Sequence, residues 1–503
     1  MKEKTDIDVL IISEGTFPYV KGGVSTWIYD LITGLEDFRF GIIFLGSKRT
    51  DYKEIQYEFP KNLVFFESYY LFEESERPAP KVIDGKKEAF DKIARLHMWF
   101  KKHLKEGLPD EVRSVDFYLN LIKEEDFLYA RKAWNFIEEQ YFEYAPDLPF
   151  LYYFWTVRNI HIPIWKIVNI ALKSPKCKLV HSPSTGYAGF LASFIQFNKK
   201  TPFVLTEHGI YTKERKIDIM EADWIQDARW WFQREYAEID HIRNMWINFF
   251  IGVGKLCYES ANPIISLFEG ARQLQISYGA DPQKTIVIPN GVKIDRYAPL
   301  RQKRSEEIPK VIALIGRVVP IKDIRTFIKA IRILVIDIPD VEGWIIGPTD
   351  ENPSYFEECK KLVKIFGLEK NVKFLGFKRL DEILHKVGLV TLSSISEGMP
   401  LVILEGFAAG VPAVTTDVGS CRQLVYGGLN KEDIDIGKAG EVVPISDPSS
   451  LANAYKELLL NKDKWKQCQN AAIRRVERFY NFEKFLDNYR NVYKKAINGW
   501  NRI

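Results

Sequence analysis

One repeated unit restricts the possible folds of this chain most. A short apolar run rich in β-branched residues stops at a turn residue, and in several places a helix-length amphipathic segment follows. In the first part the runs are IDVLIISEG, FGIIFLGS, CKLVHSPST, PFVLTEHG, NPIISLF and KTIVIPNG. After a charged linker, PLRQKRSEEIPK, the pattern restarts with VIALIGRV, GWIIGP, VKFLGF, LVTLSSI, PAVTTDVG and GEVVPI. The runs are continuously apolar, so both faces of each strand need a cover. Strands of that kind, alternating with helices, predict parallel sheet between helical layers. Two such halves predict two Rossmann-like, doubly wound α/β domains.

The length of 503 residues exceeds what one ordinary core organises and agrees with two large domains. Their expected extents are residues 1–300 and 301–480, with a final helix at about 481–503, N-capped by Asn481, completing the first domain. Residues from about 51 to 146 are charged, aromatic and helix-forming, and read as an insertion in the first domain. A second aromatic stretch, EADWIQDARWWFQREYAEIDHIRNMWINFF, predicts one long helix. Its Trp224, Trp230, Trp231 and Trp246 are either core anchors or a face for a membrane or a partner.

Composition narrows the class. With 46% hydrophobic and 27% charged residues the chain is an ordinary globular one. Lys plus Arg exceeds Asp plus Glu by 71 − 67 = 4, a balance that does not call for nucleic acid. The cysteines, Cys177, Cys257, Cys359, Cys421 and Cys468, are odd in number and never spaced C-x-x-C, which argues against a disulfide framework or a structural zinc and for a reducing cytoplasm. MKEKTDIDVLIISEG lacks the apolar core of a signal peptide, and NFFIGVGKLCYESANPIISLF is interrupted by Lys255, Glu259 and Pro263.

In an open parallel sheet ligands bind beyond the C-terminal strand ends, so chemistry is sought just after the apolar runs. Gly22-Gly23 follows the first run and opens a helix, which can receive an oxyanion on backbone N–H groups. This is not G-x-G-x-x-G, which disfavours a nicotinamide enzyme. In LTEHG, Glu207 and His208 end a strand, and His208 can donate to a bound hydroxyl or be a satisfied core histidine. Gly316-Arg317 ends the first strand of the second half with Lys322 five residues on, two cations suited to a diphosphate or merely solvated. In SISEGMPLVILEGFAAGVP, Glu397 lies in the loop and Glu405 about one turn into a helix that starts at Pro400. Glu405 can accept from a ribose diol, and Glu397 and the N–H groups of Gly398, Met399, Leu401 and Val402 can hold sugar hydroxyls and phosphate; the other reading is that Glu397 caps the helix and Glu405 is solvated.

Taken together, E-x7-E from Glu397 to Glu405, the following GFAAGVPAVTTDVG, IPNGV with Asn290, Arg317 with Lys322, His208 and Gly22-Gly23 resemble the retaining glycosyltransferases of family four. The resemblance implies the GT-B architecture, two Rossmann-like domains facing a deep interdomain cleft. It also implies catalytic roles for His208, Arg317, Lys322 and Glu397. Arg317 and Lys322 would neutralise the leaving diphosphate, Glu397 would bind the donor sugar, His208 would hydrogen-bond the sugar and Glu405 would hold the ribose. Gly22, Gly23, Glu207, Asn290, Gly316, Gly398, Met399, Pro400, Leu401 and Val402 would line the substrate site. No cofactor is implied, and no metal is expected at the D-x-D strings 6–8 and 433–435, the first opposite the expected cleft and the second in a polar loop. A narrower likeness, carried by EGTFPYVKGGVSTW, TEHGIYTKER and the long insertion, is to the cytoplasmic glycosyltransferases of Pel exopolysaccharide systems. It implies a UDP-sugar donor, a growing polysaccharide acceptor and work beside membrane-embedded Pel proteins. A glycogen-synthase-like transferase with another acceptor, and an idle sugar-nucleotide-binding scaffold, stay open.

Overall fold

The computed structural model describes residues 6–73, 78–102, 110–221 and 239–500. The chain forms two compact units, one of Met1–Ser266, Gln273–Ile286 and Arg490–Ile503, the other of Leu267–Arg272 and Val287–Tyr489. No described helix is long and apolar enough to cross a membrane.

The first unit holds a seven-stranded sheet of β1 (Ile7–Glu14), β2 (Phe40–Gly46), β3 (Leu63–Tyr70), β4 (Cys177–Ser182), β5 (Phe203–Glu207), β6 (Ile264–Ser266) and β7 (Thr285–Val287), in the order β3-β2-β1-β4-β5-β6-β7. β1 pairs in parallel with β2 on one side and β4 on the other. The order therefore reverses between β1 and β4, which opens a crevice beyond their C-terminal ends. The second unit holds β8 (Val311–Ile315), β9 (Glu342–Ile346), β10 (Val372–Gly376), β11 (Leu389–Leu392), β12 (Ala413–Thr416) and β13 (Gly440–Val443), all parallel, in the order β10-β9-β8-β11-β12-β13. Its reversal falls between β8 and β11. Strand alternation sends Ile312 and Leu314 of β8 into one apolar cluster and Ala313 and Ile315 into the other, so both faces are covered, as continuous apolar runs require. The two Rossmann-like α/β domains expected from the sequence are present.

Three details depart from expectation. β3, with the sequence LVFFESYY, lies inside the presumed helical insertion and is the edge strand of the first sheet. Its mostly half-buried side chains follow from having a neighbour on one side only, and the helices begin after it, from Lys87–Lys102 to Phe150–Lys173. The charged linker is no linker, because the second unit already begins at Val287. Tyr297 and Leu300 are buried in its core, and Arg301 and Arg304 donate to the carbonyls of Ala408 and of Leu384 and Val387.

The chain end is two helices, Lys462–Phe479 and Phe482–Trp500, interrupted where Val292 of IPNGV pairs with the backbone of Tyr480 and Phe482. Asn481 accepts from the N–H of Glu483 at 2.7 Å at the start of the second. Of the aromatic stretch, Trp224, Trp230 and Trp231 lie outside the described residues; Trp246 is a buried residue of the helix His241–Ser260.

The string 433–435 is a turn of the short helix Lys431–Asp435 and not a polar loop. Asp433 is fully buried and pairs with Arg475 Nε at 2.7 Å. Its second oxygen accepts from the N–H groups of Gly428 and Leu429. In the other string, Asp8 accepts from Arg39 N–H and pairs with Lys178.

Candidate active site

In the second unit, the residues singled out from the sequence gather where the strand order reverses. The chain leaves β8 through Gly316 and Arg317 and makes a tight turn at Pro320–Lys322. Asp323 then caps the helix Ile324–Leu334, accepting from Thr326 N–H and Oγ1, so Lys322 sits on a braced corner. Beyond β11, Ile395 N–H donates to Ile321 O at 2.9 Å and Ser393 Oγ to Lys322 O at 2.8 Å, which clasp the two loops. Lys322 Nζ and Ser394 Oγ each lie 2.5 Å from Glu397 Oε1. Glu397 Oε2 has no partner among the described residues and can accept from a ligand. Gly419, at φ +52°, permits this packing, since a Cβ there would lie 2.3 Å from Glu397 O.

The helix that follows is Leu401–Ala408, with Pro400 as its cap and not its first residue. The ψ of 110° at Pro400 is extended, so the turn begins one residue later than the sequence suggests. No side chain caps this end, which leaves the N–H groups of Leu401 and Val402, beside Gly398 and the buried Met399, for an anion. Glu405 Oε1 accepts from the buried Tyr297 hydroxyl at 2.7 Å. Burial first and Glu405 second push that phenol far up, so Tyr297 stays a donor and fixes the carboxylate. Removing it as Tyr297→Phe is expected to weaken the binding of a ligand held by Glu405 about tenfold, by calorimetry, with the fold intact.

Arg317 is different. It lies outside this cluster, in an exposed pair with both oxygens of Glu351 at 2.7 and 2.8 Å. Such a pair is worth little and is readily exchanged for a ligand. Asn290 is buried, its N–H 3.3 Å from Met399 Sδ and its Oδ1 without a partner among the described residues.

In the first unit the residues singled out from the sequence fall in different places. Gly22 and Gly23 are exposed and open the helix Gly23–Gly34 with no side-chain cap. His208 lies on the wall of a cavity of about 470 Å³ near the C-terminal ends of β1, β2, β4 and β5. It packs edge-on to Trp27, and burial lowers its imidazole to about 3, so it is neutral near pH 7.

Glu207 is the correction. It is absent from the cavity wall; its carboxylate is buried and accepts from Tyr258 at 2.7 Å, Thr185 at 3.0 Å and Gln275 at 3.0 Å. Burial raises its pKa, and those three donors partly oppose the rise. Glu207 is the last residue of β5 and turns into the core, while the chain bends at His208, which reaches the cavity.

What sequence reasoning missed is Glu14 at the end of β1, which accepts from Tyr211 OH at 2.9 Å and Ala188 N–H at 3.0 Å, with Tyr211, Glu214 and Arg215 beside it. A carboxylate at a strand end and the string IYTKER were the available signals.

Comparison with known proteins agrees with the fold. Residues 7–283, more than half of the chain, match a family described as Domain of unknown function (DUF3492), and residues 298–475 match Glycosyl transferases group 1. The chain belongs to the DUF3492 family, and residues 298–475 of its second unit match the Glycosyl transferases group 1 model. It is 26% identical over 260 residues to a D-inositol 3-phosphate glycosyltransferase of Geodermatophilus obscurus, covering 49% of this chain and 55% of that protein. The chain thus spans about half the length of the curated relatives it matches. Among solved structures, Anabaena Alr3699/HepE in complex with UDP superposes with a TM-score of 0.59 at 14% identity, covering 97% of this chain and 100% of that one. Sucrose-phosphate synthase of Thermosynechococcus elongatus gives 0.58 at 16% identity, covering 98% and 100%. At these identities the likeness is one of fold, the GT-B glycosyltransferase architecture.

Proposed function

We propose that the chain is a retaining, metal-independent glycosyltransferase that moves a hexosyl unit from a UDP-sugar to a growing exopolysaccharide of the Pel type. The observation that carries this reading is the cluster at the β8–β11 reversal of a group 1 glycosyl transferase domain: Lys322, Glu397 and an uncapped helix, with Glu405 held by Tyr297. Lys322 and Arg317 neutralise the diphosphate as the bond from the anomeric carbon to the phosphate oxygen breaks. The N–H groups after Pro400 take part of the same charge, Glu405 holds the ribose, and Glu397 accepts from donor-sugar hydroxyls. Gly316, Gly398, Met399 and Asn290 shape the wall, while Gly22-Gly23 and His208 serve the sugar and acceptor end. The acceptor oxygen bonds to the anomeric carbon on the face UDP leaves, and its proton passes to the departing phosphate oxygen. The D-x-D strings have other work, Asp433 with Arg475 and Asp8 with Lys178. The reading places the protein in the cytoplasm, beside membrane-embedded partners of the polymer system.

The test is a panel of nucleotide sugars with the pure protein, following nucleotide release and, by NMR, the anomeric configuration of the product. UDP from one UDP-hexose with configuration kept supports the reading. Tight binding without turnover makes the chain an idle scaffold, and an inverted product removes the retaining mechanism.

A further inference from the structure

The cavity of the first unit presents polar atoms that the protein does not satisfy. Four buried side-chain atoms of its lining residues have no hydrogen-bond partner among the described residues: Thr16 Oγ1, Ser184 Oγ, Tyr187 OH and His208 Nε2. The carboxylate of Glu214, an exposed residue of the same wall, accepts no hydrogen bond among the described residues and is open to a ligand or to water. Buried polar atoms are normally partnered, and a group of orphans around one roomy cavity marks a place where a hydroxyl-rich ligand or ordered water completes them.

The charge on the wall selects between ligands. Glu14 and Glu214 are carboxylates, and among the described lining residues Arg215 is the only permanent cation. That guanidinium is engaged. Its Nε donates to Tyr211 OH at 2.9 Å, its Nη1 lies 3.3 Å from Asp218, and it sits over the Tyr211 and Phe250 rings. Tyr211 OH in turn donates to Glu14 at 2.9 Å. What the wall offers a ligand is two carboxylates, three hydroxyls and a neutral imidazole, a set that accepts from and donates to alcohols, while the single cation, Arg215, is outnumbered by Glu14 and Glu214 and gives a phosphate or uronate little net counter-charge. The rings of Tyr52, Phe72, Tyr187 and Tyr211 supply apolar faces for the C–H side of a sugar.

We infer that this cavity receives the acceptor as an uncharged saccharide, with Glu14 and Glu214 setting that specificity by holding its hydroxyls and repelling anionic acceptors. The inference rests on the glycosyl-transfer reading for the word acceptor and on the cavity itself for the ligand class.

Binding to the full-length protein tests it, by saturation-transfer NMR and calorimetry with maltotetraose and N-acetylchitotetraose against glucose 6-phosphate and tetragalacturonate. At least one neutral probe is expected to bind, with the anionic probes at least about tenfold weaker. Glu214→Gln and, separately, Tyr187→Phe are expected to weaken neutral binding about tenfold, the cost of one hydrogen bond to a charged or buried group. Glu214→Gln should also narrow the gap between neutral and anionic probes. Circular dichroism of both variants checks the fold. Equal binding of neutral and anionic probes, neutral binding unchanged in both variants, or no saccharide binding at all would overturn the inference. Failure of nucleotide-sugar turnover with neutral binding intact would remove the transfer reading and leave the saccharide site. Turnover that runs equally well on phosphorylated acceptors would remove this inference alone.

Discussion

Replacing Lys322 by alanine is expected to lower UDP release from the preferred donor by about 10²- to 10³-fold, the effect of removing one fixed donor from a developing anion, about 2.7 to 4 kcal/mol. The size follows from how firmly the ammonium is held. Asp323 caps the helix directly behind it, Ser393 grips its carbonyl, and Glu397 and Lys322 side chains are only 11% and 18% exposed. A cation so placed stabilises charge as it appears without first having to reorganise. Glu397→Ala is expected to fall in the same range, since it removes both the unbonded Oε2 and the group that holds Lys322. Arg317→Ala should cost less, because its guanidinium is exposed and bound to Glu351 until a ligand displaces that pair. Rates are to be read beside circular dichroism. Near-normal turnover in both Lys322→Ala and Glu397→Ala, with folding intact, would defeat the assignment of the site.

The largest stability effect is expected at Arg475, far from any chemistry. Arg475 and Asp433 are both fully buried, and the guanidinium also donates to the carbonyls of Val425 at 2.9 Å and of Asp433 and Gly437 at 2.8 Å. Arg475→Leu leaves a buried carboxylate without its counter-charge and strands three carbonyls. The expected loss is about 3 to 5 kcal/mol, because an uncompensated buried charge costs more than the pair was worth. For a unit of this size that lowers the melting temperature by roughly 6 to 20 °C in calorimetry. Adding Asp433→Asn should recover part of the loss, since the charge disappears while a side-chain oxygen remains for the Gly428 and Leu429 N–H groups. A double variant no more stable than Arg475→Leu would show that packing, not charge, is the cause.

Much of this architecture was legible before any coordinates. Continuous apolar runs such as FGIIFLGS are buried along their whole length in β2, because a strand covered on both faces has no solvent side to pattern. The exception, LVFFESYY in β3, lies on an edge, where one missing neighbour lets charge such as Glu67 into the run and blurs the signal. The cluster of the second unit was also legible, because Gly316, Lys322 and Glu397 stand in the loops after β8 and β11, and Glu405 on the helix that follows, positions that strand order brings together. Asp433 was not: as part of D-x-D it had the look of a solvated string, and its partner Arg475 is 42 residues away.

By itself, then, the amino-acid sequence determined the local matters: where strands stop, which helices follow, and which residue types stand at the strand ends. Those depend on side-chain pattern over a few residues, through burial, turn chemistry and capping. The tertiary structure alone decided which of those residues share a space. It turned Glu207 inward to Tyr258 while leaving the next residue, His208, on a cavity wall, and it brought Glu14 to Tyr211, 197 positions away. Long-range pairing of this kind is a property of how the strands are ordered, and no short stretch of the chain contains it.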